Sequence, residues 1–197
     1  LLGVITVDDV IDVIEEEQTE YVQKIGGVEP LEVPYFQTGI LAFIKKRSPW
    51  LVVLFVGEFF SQSAMRNYDA VLDAVKGAAY YFTLLLSAGG NAGSQSSTLI
   101  IRGLGVGDLK PRDWGRVLWR ELALGIVLGC LLGGIGFVRV LMYPEHGVPF
   151  AFAVAVAIIG VVVLGCTAGS MLPMLLKRLG LDPATSSTPF IASLVDV

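Results

Sequence analysis

From Val148 to Leu176 the chain reads "VPFAFAVAVAIIGVVVLGCTAGSMLPMLL", without one charged residue. A helix needs about 20 apolar residues to cross a bilayer core. In lipid the backbone must also satisfy its own hydrogen bonds, which a helix does. The run therefore predicts an all-α integral membrane protein. Composition agrees: of 197 residues 54% are hydrophobic and 16% charged, with a mean hydropathy of +0.69. Ordinary soluble domains are far more polar. A net charge of −4 gives no support to nucleic-acid binding. Cys130 and Cys166 lie in apolar runs and read as small buried hydrophobes rather than a disulfide.

Four further spans are expected around this one. The first runs from about Trp50 to Leu72, the second from Ala78 to Arg102 and the third from Glu121 to Tyr143; the charge-free run is the fourth. "KRLGLDPATSSTP" leads into a fifth that ends with the sequence. Before them, "LLGVIT" is strand-like and "VDDVIDVIEEEQTEYVQKI", Val7 to Ile25, reads as an amphipathic helix. Thr6 with Asp9 forms its capping pair, Val10, Ile14 and Tyr21 mark one apolar face, and Gly26 and Gly27 end it. "GILAFIKKRSPW" reads as a short interfacial helix closed by Lys45, Lys46 and Arg47. These three bases, the Arg102 to Arg120 loop, and Lys177 with Arg178 fall on one side, which places the N-terminus in the cytosol. The abrupt beginning and end suggest an internal segment of a longer protein.

Gly125, Gly129 and Gly133, and Gly165 with Gly169, repeat at four-residue spacing and read as close helix contacts. Packing does not account for "GGNAGSQSST". Asn91, Ser94, Gln95 and Thr98 share a helical face continuing to Arg102, with Asn91 about 16 Å deeper at 1.5 Å per residue. Such a face should border a bundle interior or a watery cavity. In "LDPATSSTPFIASLVDV", Asp182 reads as an N-cap with Pro183 at the first helical position. Pro189 then falls inside that helix, freeing the Thr185 carbonyl. Ser186, Pro189, Ser193 and Asp196 form one small, polar stripe, with Thr188 and Ala192 beside it. Asp196 lies about 21 Å beyond Asp182, inside a core about 30 Å thick. A carboxylate there costs about 2.5–3.5 kcal/mol on insertion scales, so it should bind an ion, relay a proton or pair with a cation. Glu58 is a second intramembrane acid, read first as structural and otherwise as a relay or an outer partner of the ion site. On the N-terminal helix Asp9, Asp12, Glu16 and Glu20 crowd one flank, beside Asp8, Glu15 and Glu17. Such crowding is relieved by solvent, by pairing or by bridging divalent ions.

"GGNAGSQSSTLIIRGL", "LDPATSSTPFIASLVDV" and the acidic "VDDVIDVIEEEQTE" occur in the order that resembles the MgtE family of magnesium channels. The resemblance implies a homodimer with five transmembrane helices per subunit, the fifth incomplete here, and a pore on the two-fold axis lined by the second and fifth. It makes residues 1–6 the end of a cytosolic CBS module and 7–27 a connecting plug helix. Residues 28–48 become a juxtamembrane segment and 49–197 the channel domain. It implies that Asp196 holds hydrated Mg²⁺, that the Ala192 carbonyl faces that ion, and that Ser94 and Thr98 face the pore. Asp9, Asp12, Glu17 and Glu20 match plug-helix acids that bind regulatory Mg²⁺, and Asp182 a partner acid at the membrane end. Ser94 and Thr188 depart from the family pattern, which has asparagine there. The implied function is Mg²⁺ uptake across a bacterial inner membrane, gated by cytosolic Mg²⁺, with adenine nucleotide a partner of the CBS region. A proton-coupled divalent-cation carrier using Glu58 and Asp196 is the alternative. An intramembrane serine hydrolase built from Ser94 or Ser96 is disfavoured, because His146, the one histidine, falls in a loop on the opposite side.

Overall fold

The computed structural model describes residues 6–31, 35–70, 77–143 and 145–196. Helix α1 spans Val7–Ile25, and its start is written in its first residues. The Thr6 hydroxyl accepts from the Asp9 N–H at 3.4 Å, while the Thr6 N–H donates to Asp9 Oδ2 at 2.8 Å. The capping box thus forms as the sequence predicts. The expected strand over the first six residues lies, apart from Thr6, outside the described residues.

Helix α2 spans Ile40–Asn67 without a break, which corrects the expected short interfacial helix followed by a separate span. Lysine and arginine are good helix formers whose stems lie along apolar surface, so the basic triad does not end the helix. Pro49 sits inside it. α2 buries none of its residues and keeps Leu51, Val52, Phe55 and Phe60 exposed. It is fastened near Trp50, whose indole N–H donates to Ser187 Oγ at 2.9 Å and whose ring lies 5.5 Å from that of Phe190. Gly27, at φ +72°, abuts the same indole: a Cβ there would meet Trp50 at 2.6 Å and Ser187 Oγ at 3.1 Å. A left-handed backbone and that close approach both require glycine.

The body of the fold is α3 (Ala78–Gly105), α4 (Trp114–Leu141) and α5 (Val148–Arg178). α4 begins seven residues before the expected Glu121: in "WGRVLWR" only Gly115, in the first turn, disfavours a helix, and arginine and leucine favour one. α4 and α5 pack through glycines. A Cβ on Gly125 or Gly129 would stand 3.0 Å from the Cα of Val163 or Ile159. α3 lies still closer to α5, with Gly89 and Gly93 against Gly165 and Gly169. Around these contacts Val140, Ala151, Val154, Ile158, Val162 and Cys166 form one core cluster. Ile100, Leu104, Val117 and Met174 form a second. Among the described residues two segments, Pro111–Leu141 and Val148–Arg178, are long and apolar enough to cross a membrane.

The last segment differs from its sequence reading. Pro183–Thr185 is a 3-10 turn capped by Asp182, whose carboxylate accepts from the Ala184 N–H at 2.9 Å. Ser186 then leaves helical geometry (φ −77°, ψ 58°), and α6 spans Thr188–Asp196. Pro189 therefore lies in the first turn of a new helix rather than inside a longer one. There its missing N–H costs nothing and its fixed φ suits the helix. The Thr185 carbonyl is consequently not released by a helical proline.

Candidate functional site

α3 and α6 meet along the polar residues singled out in the sequence. Ser94 Oγ donates to the Thr188 carbonyl and Ser97 Oγ to the Ser186 carbonyl, each at 3.3 Å. Two hydroxyls of α3 thus hold the entry of α6, and that of Ser97 serves the carbonyl of Ser186, which lies outside helical geometry. Thr98 Oγ1 donates to the Ser94 carbonyl at 2.9 Å and Asn91 Nδ2 to Ser87 Oγ at 3.3 Å. Asn91, Gln95 and Thr98 stay on the exposed flank of α3, while Ser94, Thr188, Pro189, Ala192 and Ser193 are half-buried. Ser186 is the exception to the expected open stripe. It is fully buried, its hydroxyl donating to the Pro183 carbonyl at 2.6 Å.

Lower on the same interface Gly90 gives α6 room to approach. A Cβ there would stand 3.5 Å from that of Ala192 and 3.9 Å from Asp196 Oδ1. Asp196 opens into a cleft of about 990 Å³ that Glu58, Ser61, Gln62, Phe82 and Leu86 also line. Asp196 thus shares one cleft with two further carboxylates, Glu58 and Asp69, and with the Arg66 guanidinium, among apolar, hydroxyl and amide side chains.

A second cleft, of about 760 Å³, separates α1 from the far end of α3 and is lined by Glu17, Glu20, Lys24, Thr98, Arg102 and Asp182. Lys24 Nζ lies 2.6 Å from Glu20 Oε1 and 3.3 Å from Asp182 Oδ2. The hydrogen bond to Glu20, outweighing partial desolvation and helped by Asp182, holds its amine above the usual lysine range. An ammonium group therefore sits between the acids expected to hold a regulatory cation. Tyr21 docks against Gly105, and burial raises its phenol pKa against the opposing charge of Arg102. Asp9 is occupied by the cap, its carboxyl held below the usual range by the Thr6 hydroxyl and then the Thr6 N–H. Asp12 and Glu16 are exposed. Among the described residues no three His, Cys, Asp or Glu side chains converge on one point. Glu17, Glu20 and Asp182 border a common space without forming a closed cage.

The hydrolase arrangement has no geometric basis. Ser94 and Ser96 donate to the Thr188 carbonyl and to Glu121, while His146 packs among Tyr81, Tyr143 and Phe150 at the other end of the bundle.

One residue escaped sequence reasoning. Glu121 is 7% exposed and accepts from Ser96 Oγ at 2.6 Å, joining α4 to α3. A signal was present: Glu121, Gly125, Gly129 and Gly133 recur every four residues, so the acid lies on the same face as the packing glycines. Glu121→Gln, which can still accept from Ser96, is expected to unfold near the native temperature. Glu121→Ala leaves Ser96 unpaired and should cost about 1–3 kcal/mol, read as a lower unfolding temperature of the purified protein.

These features define an α-helical bundle with helices of membrane-crossing length and a carboxylate-lined cleft at its edge. A family match described as "Divalent cation transporter", MgtE, spans residues 82–197. The chain belongs to the MgtE family. It is similar to proteins named magnesium transporter MgtE from Thermus thermophilus, at 41% identity over 198 residues, and Enterococcus faecalis, at 34% over 197. One of the same name from Bacillus subtilis is 27% identical. The whole chain is covered in each, and it spans 43% of the length of these relatives.

Proposed function

We propose that the protein to which this chain belongs is a homodimeric Mg²⁺ channel of the bacterial inner membrane. Five helices per subunit would cross the membrane, with the N-terminus in the cytosol. The observation that carries the reading is Asp196, placed by α6 against Gly90 of α3 and open to the cleft it shares with Glu58. The relatives' name supplies the ion. Mg²⁺ demands octahedral oxygen coordination and gives up water reluctantly, so a conducting site should hold it through its hydration shell. On a two-fold axis, two copies of Asp196 balance one divalent charge, and small neighbours such as Ala192 and Ser193 leave space for the waters.

Residues 1–6 would close a CBS module that takes adenine nucleotide, and 7–27 would form the plug. In the second cleft Lys24 bridges Glu20 to Asp182, and cytosolic Mg²⁺ entering among Glu17, Glu20 and Asp182 would replace that bridge with a stronger one. Mg²⁺ then closes the pore by binding the closed arrangement more tightly. Glu17→Gln combined with Glu20→Gln is expected to shift inhibition to at least about tenfold higher cytosolic Mg²⁺, given about 1.5–3 kcal/mol for each hydrogen bond to a charged group. Patch recordings across a Mg²⁺ series would read this, and unchanged inhibition would refute the gating scheme.

The shared cleft also favours a second reading, a proton-coupled divalent-cation carrier in which Glu58 and Asp196 exchange protons. Mg²⁺ uptake by the full-length protein in proteoliposomes separates the two. A channel responds to membrane potential at zero pH gradient, whereas a coupled carrier is driven by the pH gradient. No uptake under either condition would overturn both.

A further inference from the structure

The end of the bundle where α5 finishes and α4 begins is basic. Arg102, Lys110, Arg112, Arg116 and Arg120 outnumber Asp108 and Asp113 there, and Lys177 with Arg178 closes α5. A groove of about 390 Å³ opens at this end between Trp114 and Arg178. It continues along α5 past Leu175 and Met171 to Ala168, and meets Leu194 of α6. Arg178 and Ala168 are ten residues apart on one helix, about 15 Å at 1.5 Å per residue. Arg178 is the charged group of this lining. It is exposed, and among the described residues no acid forms an ion pair with it. Leu194 also places the groove on the side of α6 away from Asp196, so it is separate from the carboxylate cleft.

We propose that this groove holds an acyl chain of an anionic phospholipid, with the phosphate at Arg178. A guanidinium matches phosphate oxygens bidentately, and basic pockets between transmembrane helices take anionic headgroups. Trp114 stands at the mouth, where an indole suits the boundary between headgroups and hydrocarbon. The long, uncharged wall below suits one aliphatic chain, and Arg178, the charged residue of the lining, selects the anionic headgroup.

The test is native mass spectrometry of the full-length protein in detergent, titrated with dioleoylphosphatidylglycerol or dioleoylphosphatidylcholine. The anionic lipid should be retained about fivefold better, the scale of one basic side chain near a charged headgroup. Arg178→Gln should bring the two lipids near parity and Arg178→Lys should restore the preference; the residue is exposed, so the fold is not at stake. Leu175→Trp, also exposed and on the groove wall, should lower retention of both lipids. An unchanged preference in Arg178→Gln would overturn the assignment. So would competition by millimolar inorganic phosphate, which would mean that free phosphate is recognised. Retention indifferent to Leu175→Trp would also refute it, placing the chain elsewhere or a second copy of the protein over the groove.

Discussion

Asp196→Asn in the full-length protein is expected to cut Mg²⁺ uptake into proteoliposomes by at least about tenfold while leaving the protein and the proposed dimer folded. A hydrogen bond to a charged group contributes about 1.5–3 kcal/mol, and in the proposed two-fold pore both copies would be lost together. Asparagine keeps the size and one acceptor oxygen but removes the charge, so the experiment reads electrostatics rather than shape. Asp196 is half-buried at the cleft and takes no part in the hydroxyl–carbonyl bonds that fasten α6 to α3. Its neutralisation should therefore not release the helix. Undiminished uptake would move the ion path away from Asp196. Loss of uptake with equal loss in Ser193→Ala would point to distortion of α6 instead.

The largest effect on stability is expected at Gly169. A Cβ there would fall on the Gly93 carbonyl group of α3, and one at Gly165 on that of Gly89. The obstacle is backbone, which cannot rotate aside like a side chain, so the two helices must part along their contact. Overpacking typically costs about 1–3 kcal/mol and occasionally more, and backbone against backbone belongs at the upper end. Gly169→Ala should lower the unfolding temperature of the purified protein by many degrees. Gly160→Ala on the same helix, with nothing within 4 Å of its added carbon, should be neutral or slightly stabilising, since alanine is the better helix former by about 1 kcal/mol. Equal behaviour of the two variants would contradict the α3–α5 packing.

Much of this was legible because it is encoded locally. The Thr6–Asp9 box fixes where α1 starts, and four-residue glycine spacing identifies the face of α4 that meets α5 and the face of α5 that meets α3. What failed depended on competition between local signals. Pro183 and Pro189 are both compatible with one kinked helix or with two starts. The choice is made by Ser186, which turns out of helical geometry and is buried where Ser97 can bond its carbonyl. Glu121 went unread for a different reason. A charged residue beside a basic loop looks like a span boundary, and only the position of Ser96 on another helix shows that it faces inward. On α3, residue types alone could not divide the polar set between Ser97, turned into the bundle, and Asn91 and Gln95, turned out of it.

Gly27, Trp50 and Ser187 meet at one point, which joins the end of the acidic helix, the exposed α2 and the entry to α6. The junction works as a fulcrum. α1 cannot withdraw without uncovering the indole, and the indole cannot swing without releasing Ser187, whose carbonyl accepts the Ile191 N–H in the first turn of α6. A tilt of α1 would thereby reach the short helix bearing Asp196 by two routes, this aromatic ring and the Lys24–Asp182 bridge.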